Sequence, residues 1–335
     1  MTRAQPGIPD HRAFARTAGC ATLRPMTQIT TLSGATPAPF AFGAMQFGGR
    51  ADAAQSRAMF DACRAAGITH FDTAYTYTGG ASEQLLGEFA GPERDKLFIA
   101  TKVNFPAGAG RDTILNSCDE SRARLGMDVI DLLYMHRFDD DTPLEETFET
   151  LAALQQKGQI RYIGVSNYAA WQVMKAQAVA AGFGTRIDVI QPMYNLVKRQ
   201  AEVEILPMCA SEGILPVPYS PLGGGLLTGK YLRGESGRLH EDSRYTARYA
   251  PQSMHATAEG LVKLAEELGT DPATLAVAWV ARHAAGPVPI LSARTVEQLR
   301  PSLDGMGYAM DDALYARVSE LSAAPPPATD RLEEV

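Results

Sequence analysis

The sequence predicts an α/β protein, a single-domain (β/α)8 TIM barrel with a long insertion after strand 7 and extra C-terminal helices, on three observations. Eight short β-rich runs alternate with longer segments in which apolar residues recur three and four apart. Runs such as 129–133 are rich in Val, Ile and Leu, as parallel strands buried on both faces require. The turn after the first run, Phe42-Gly43-Ala44-Met45-Gln46-Phe47-Gly48-Gly49, lacks the GxGxxG with which an open doubly wound sheet usually begins.

The strand-like runs centre near Phe42, Phe71, Ile99, Leu132, Ile163, Ile190, Val217 and Ile290, and the first seven lie 29, 28, 33, 31, 27 and 27 positions apart. Each interval is the length of one βα unit. Helical periodicity fills the intervals at 53–66, 82–90, 111–125, 143–157, 169–181 and 198–212. These helices are expected to end at Gly67, Gly91, Gly126, Gly158, Gly182 and Gly213, because glycine takes the left-handed cap without a Cβ clash. The last interval, 73 positions, exceeds one unit and contains a polar, irregular stretch at 231–253, read as an insertion loop. Helices at 257–268 and 272–283, a final strand at 289–293, and helices at 296–303 and 311–321 complete residues 26–322 as the barrel domain. The proline-rich 323–335 reads as a tail, and 1–25, with Arg3, Arg12, Arg16 and Arg24 opposed only by Asp10, as an unstructured extension.

Composition narrows the function. With 45% hydrophobic and 21% charged residues the 335-residue chain can bury a large core. Lys and Arg number 31 against 38 Asp and Glu, a net charge of −7, which argues against nucleic acid or an anionic membrane as partner. Cys20, Cys63, Cys118 and Cys209 lie 43, 55 and 91 positions apart, so no pair has metal or redox spacing, and reduced thiols in the cytoplasm are expected. No run of apolar residues reaches transmembrane length. Monomer and homo-oligomer both remain open.

In a parallel barrel the chemistry sits at the carboxyl ends of the strands. The second run ends in Phe71-Asp72-Thr73-Ala74-Tyr75-Thr76-Tyr77, the third in Ala100-Thr101-Lys102-Val103 and the fourth in Leu133-Tyr134-Met135-His136-Arg137. Singly, Asp72 reads as a loop cap, Lys102 as a snorkelling side chain and His136 as a core histidine. Together they bring an acid, a base and an imidazole to one rim, where mutual pairing offsets the cost of burying charge. Only His136 of the six histidines lies at a strand end, so no metal is expected.

These motifs, with Ser82-Glu83, Gly164-Val165-Ser166-Asn167-Tyr168 followed by Trp171, Tyr194-Asn195, Tyr219-Ser220-Pro221-Leu222 and Leu226-Leu227-Thr228-Gly229-Lys230, make the chain resemble an aldo-keto reductase over residues 40–303. It is most similar to the aflatoxin-aldehyde reductase-like branch. The resemblance implies a catalytic tetrad of Asp72, Tyr77, Lys102 and His136, with Tyr77 as general acid. It implies a nicotinamide cofactor held by Ser166, Asn167 and Gln191 at the carboxamide, Tyr219 against the ring, Ser220, Leu222, Gly224 and Lys230 at the pyrophosphate, and Ser292, Arg294 and Gln298 at the adenosine end.

A phenol of pKa about 10 is a poor proton donor near neutrality, and a neighbouring ammonium lowers that value, which is the part expected of Lys102. The planar fork of Arg294 suits a 2′-phosphate and favours NADP(H). The chain departs from the family pattern where Ser292 replaces a glycine, Pro301-Ser302 replaces Glu-Asn, and Thr78 replaces a glycine. Met45, Tyr75, Phe105 and Arg137, with the 231–253 insertion and its Arg238 and Arg244, are candidates for contact with a small-molecule carbonyl substrate. The function implied is NADPH-dependent reduction of aldehydes, possible ketones or sugar aldehydes included. The alternative is a cofactor-binding regulatory subunit with little turnover, resembling potassium-channel β subunits.

Overall fold

The structure, a computed structural model, describes residues 24–329. Eight strands, β1 (Ala41–Gly43), β2 (His70–Asp72), β3 (Phe98–Lys102), β4 (Ile130–Met135), β5 (Ile160–Ser166), β6 (Val189–Gln191), β7 (Leu215–Pro216) and β8 (Ile290–Leu291), form one parallel sheet in chain order, with β8 beside β1. The sheet curls until its edges meet. The Val288 and Ile290 N–H groups donate to the Pro216 and Pro218 carbonyls at 2.9 Å each. This is the arrangement of a (β/α)8 fold.

Alternation along the strands sorts the side chains onto two faces. Phe98, Ala100, Leu132, Tyr134, Val189, Leu215 and Ile290 form an inner cluster. Phe71, Ile99, Leu133, Ile163, Val165 and Ile190 face outward into a larger cluster shared with the helices. The register pairs Gly43 with Asp72, Lys102 with Tyr134, Tyr134 with Gly164 and Ser166 with Gln191, so polar residues line up at one end of the inner face. Gly164 must be glycine there, because a Cβ would lie 2.4 Å from the Tyr134 ring.

The helices α1 (Ala53–Ala65), α2 (Ala81–Ala90), α3 (Arg111–Leu125), α4 (Leu144–Gln156), α5 (Ala170–Gly182) and α6 (Ile205–Glu212) intervene between successive strands. Helix α6 begins later than the expected 198. Pro207 has no N–H to donate and is tolerated in a first turn, but would break a helix begun at 198. Gly67, Gly126, Gly158 and Gly213 take positive φ as expected, whereas Gly91 (φ −48) continues into a 3-10 turn and Gly184 rather than Gly182 is left-handed after α5. The 231–253 stretch is not a plain loop. It carries α7 (Arg238–Glu241) and α8 (Ser243–Arg248), the latter capped by Asp242, whose carboxylate accepts the Arg244 N–H. The chain continues through α9 (Gln252–Glu267), α10 (Pro272–Arg282), α11 (Val296–Asp304) and α12 (Asp312–Ser319).

Residues 1–23 of the expected extension lie outside the described residues, as do 330–335 of the tail. Arg24 and Pro25 are ordered against the turn after α6, where a Cβ on Gly213 would meet the Pro25 carbonyl at 2.3 Å. Beyond them Met26 and Ile29 pack onto the inner cluster. Arg161 ties this segment to the strands, donating to the Thr30 carbonyl at 2.6 Å and to Asp131 at 2.7 Å. Asp131 is wholly buried, and its charge is met by Arg161, by Arg94 at 2.7 Å and by the Ile99 N–H at 2.8 Å.

Candidate active site

At the carboxyl ends of β2 and β3, Lys102 is 1% exposed and donates to Asp72 Oδ1 at 2.5 Å and to the Thr73 carbonyl at 2.7 Å. The second carboxylate oxygen of Asp72 accepts from Gln191 Nε2 at 2.8 Å. The Lys102 ammonium lies 5.1 Å from the centre of the Tyr77 ring, and the His136 ring stands edge-on to that ring at 5.9 Å. All four expected tetrad residues therefore meet at one place, and Gln191 joins them from β6 as a partner of Asp72.

Burial pushes the Lys102 ammonium down, but Asp72 and Tyr77 more than offset it, so the group is held above its usual range and stays charged. For Tyr77 the balance runs the other way. Burial raises the phenol above its ordinary value, and Lys102 opposes that rise without overcoming it. The expectation of a lowered phenol pKa is thus met in the sign of the lysine's effect and not in the net direction, because desolvation outweighs one neighbouring cation. Burial, reinforced by Lys102, pushes His136 down to about 3, so its imidazole is neutral, and its Nδ1 has no partner among the described residues.

The loop that carries Tyr77 is fastened at several points. The Tyr75 N–H donates to the Lys102 carbonyl at 3.1 Å and the Tyr77 N–H to Ala74 at 3.0 Å. Thr78 sits at φ +48, in the region where glycine is at ease, which accounts for the family's glycine there. The strain, about 1–2 kcal/mol, is offset by two hydrogen bonds, from its hydroxyl to the Phe47 carbonyl and from the Ser82 N–H to that hydroxyl. Behind the loop, wholly buried Glu83 accepts from Thr101 at 2.6 Å and from Arg124 at 3.1 Å. Arg124 also donates to the Tyr75 carbonyl at 3.0 Å. Sequence reasoning assigned no role to Arg124, whose position on α3 gave no local signal.

The expected cofactor residues fall into two groups. At the ends of β5 to β7, Ser166 donates to the Gln191 carbonyl at 3.0 Å, Asn167 donates to the His136 carbonyl and to Ser166, and the Tyr219 hydroxyl donates to Asn167 Oδ1 at 2.7 Å. Asn167 and Ser220 both stand at positive φ, +58 and +60, with the Ser220 carbonyl held by Asn195 Nδ2 at 2.9 Å. Further out, Leu222 leads into the 3-10 turn Gly223–Thr228, and Cβ atoms on Gly224 and Gly225 would lie 2.8 Å from Tyr245 and 2.9 Å from Lys230. Glu241 on α7 bridges Arg50 at 2.8 Å and Arg294 at 3.2 Å, tying the 231–253 stretch to the segments that follow β1 and β8. Arg50 and Glu241 were not singled out from sequence. Ser292 donates to the Gly43 carbonyl at 3.0 Å, and Gln298 accepts from the Arg294 N–H at 3.3 Å. Ser302 is buried and the Pro301 carbonyl accepts from Thr274 on α10, so both of these departures from the family pattern face protein.

Of the substrate candidates, Phe105 and Arg137 line a cavity of about 320 Å³ beside His136, with Val103, Met135, Phe138 and Asp139. The Phe105 ring lies edge-on to His136 at 5.0 Å. Met45 is half-buried in the turn after β1. Tyr75 is not brought to the cavity. Its hydroxyl donates to Glu120 at 2.5 Å and its ring lies under the Arg124 guanidinium at 4.3 Å, on the α3 side. Arg244, drawn off by Asp242 at 2.8 Å, also turns away.

Among the described residues no helix is long and apolar enough to cross a membrane. Comparison with known proteins agrees with the geometry. The model of the Aldo/keto reductase family matches residues 39–323. The chain is 32% identical over 308 residues to Uncharacterized oxidoreductase YrpG of Bacillus subtilis (strain 168), covering 84% of this chain and 91% of that one. It is 33% identical to Probable voltage-gated potassium channel subunit beta of Arabidopsis thaliana, over 75% of this chain and 82% of that one. It is 36% identical to Aflatoxin B1 aldehyde reductase member 2 of Homo sapiens, over 63% and 62%. With eight parallel strands that bring an aspartate, a tyrosine, a lysine and a histidine to one rim, the chain belongs to the aldo/keto reductase family.

Proposed function

We propose that the protein reduces aldehydes to alcohols with NADPH, using Tyr77 as the proton donor. The observation that carries the reading is the buried, charged Lys102 held by Asp72 beside the Tyr77 ring, with a neutral imidazole facing the same space. When bound, the nicotinamide supplies a hydride to the carbonyl carbon. The oxygen then takes the Tyr77 proton, and the phenolate left behind is stabilised by Lys102 until solvent returns a proton. Burial suits this direction: a phenol held above its usual pKa is fully protonated at neutral pH and ready to donate. His136, neutral at neutral pH, has one ring N–H with which to orient the carbonyl oxygen.

The residues fit the cofactor. Asn167, Ser166 and Gln191 would hold the carboxamide and Tyr219 the ring face, while the glycine turn and Lys230 would meet the pyrophosphate. Arg294 and Arg50 now share the carboxylate of Glu241, and a 2′-phosphate offers the same pair of guanidinium groups a stronger acceptor. The described cysteines are free and buried, in keeping with a cytoplasmic location. The test is reduction of 4-nitrobenzaldehyde by the full chain with C4-deuterated NADPH. Deuterium in the product alcohol, at a rate well above that with NADH, supports the reading. The similarity to a channel β subunit supplies the second one: firm NADPH binding with no deuterium transfer on the timescale of minutes favours a regulatory subunit.

A further inference from the structure

Tyr77 is followed by three residues at positive φ, Thr78 (+48), Gly79 (+62) and Gly80 (+96). Two glycines in such a run leave the backbone many other conformations, so contacts from outside decide where the Tyr77 hydroxyl comes to rest. One side chain touches the loop on both sides of that residue. Arg124 Nη1 donates to the Tyr75 carbonyl at 3.0 Å, and its guanidinium lies against Gly80, where a Cβ would approach Cζ to 2.8 Å.

Arg124 is itself fixed relative to β3. The same Nη1 donates to Glu83 at 3.1 Å, and wholly buried Glu83 accepts from Thr101, the residue before Lys102, at 2.6 Å. At the next residue, Leu125, α3 touches α2 backbone to backbone, since a Cβ on Gly87 would lie 2.3 Å from the Leu125 carbonyl oxygen. Neutralising Glu83 requires neither the bond to the Tyr75 carbonyl nor a place against Gly80. Those two contacts refer the loop to the strand that carries Lys102.

We propose that Arg124 is a positioning residue for proton transfer: it holds the 75–80 loop against β3 so that the Tyr77 hydroxyl stays beside the Lys102 ammonium and within reach of a carbonyl bound near His136. The proposal rests on the reading of Tyr77 as proton donor. Glu120, whose carboxylate meets Arg124 Nη2 and the Tyr75 hydroxyl at the exposed edge of α3, lies outside this device.

The test is single-turnover reduction of 4-nitrobenzaldehyde by the full-chain holoenzyme in H2O and in D2O, with the rate expressed per bound NADPH. Arg124→Met should lower that rate by about tenfold to a hundredfold, the scale of a misplacement near 1 Å, with the NADPH Kd and the aldehyde concentration at half-maximal rate within about threefold of the parent. Its solvent deuterium isotope effect should rise, because the proton step becomes the slow one. A merely structural role lowers the folded fraction and leaves the isotope effect of each loaded site as in the parent. Arg124→Lys should recover much of the rate, since one ammonium can meet both acceptors of Nη1, and Glu120→Gln should stay within about twofold of the parent, as an exposed pair is worth little. Where Arg124→Met does not fold, the double variant Glu83→Gln with Arg124→Met takes its place, removing the unpaired buried charge and keeping the hydrogen bond from Thr101. A rate within about threefold of the parent, an unchanged isotope effect, or an equal fall in Glu120→Gln overturns the proposal and leaves the reductase reading standing. No reduction by the parent overturns the reductase reading and this proposal with it.

Discussion

Replacing Lys102 with methionine separates the electrostatic role of the lysine from its packing, since the two side chains are similar in length and the site is 1% exposed. The ammonium lies 5.1 Å from the Tyr77 ring centre. At an effective dielectric of about 20, a unit charge at that distance stabilises a phenolate by about 3 kcal/mol, or roughly a hundredfold in rate. Lys102→Met should therefore lower kcat for 4-nitrobenzaldehyde reduction by about two orders of magnitude and move the alkaline limb of the pH profile upward, since burial already raises the Tyr77 phenol and its one opposing cation is gone. Stability should fall as well. Asp72 would keep only its Gln191 hydrogen bond, and breaking a buried pair on one side costs about 3–5 kcal/mol. Adding Asp72→Asn should recover much of that stability without recovering turnover. Stopped-flow NADPH absorbance gives the rate, NADPH fluorescence shows that the variant is folded, and urea titration gives the stability. A folded Lys102→Met enzyme with kcat within threefold of the parent refutes the reasoning.

Two further predictions follow from groups at opposite ends of the barrel. His70 is wholly buried, both of its ring nitrogens lack partners among the described residues, and burial pushes it down to about 3. The unfolded chain therefore binds the extra proton first, and stability falls as pH drops below about 6.5, by up to about 1.4 kcal/mol per pH unit from this residue; His70→Leu should flatten the slope of unfolding free energy between pH 6.5 and 4.5 by that amount, and an unchanged slope in urea titrations contradicts it. Arg294→Ala should raise the Michaelis constant for NADPH at least tenfold more than that for NADH, and equal effects on the two would remove the 2′-phosphate argument.

The parts of the fold legible in the sequence were those set by local pattern. Strands such as Ile130–Met135 and amphipathic helices such as Ala53–Ala65 announce themselves through periodicity, and the strand-end positions of Asp72, Lys102 and His136 follow from it. Tertiary contacts decided the rest. Helices α7 and α8 are short and depend on the Asp242 cap and on the Leu239 N–H donating to the Tyr231 hydroxyl, so a polar composition hid them. Arg124 and Glu241 act across 41 and 53 positions, on Glu83 and Arg294, distances at which no sequence window holds both partners. The net rise of the Tyr77 phenol was likewise out of reach, because it depends on how completely the site excludes water, and only the assembled barrel determines that.

The central claim is that the Tyr77 hydroxyl supplies the proton to the reduced carbonyl oxygen. Single-turnover reduction of 4-nitrobenzaldehyde by Tyr77→Phe holoenzyme tests it most directly, with NADPH fluorescence recorded in the same experiment. If Tyr77 donates the proton, the rate falls at least a thousandfold below the parent with the NADPH Kd within threefold; a Tyr77→Phe rate within tenfold of the parent contradicts that role.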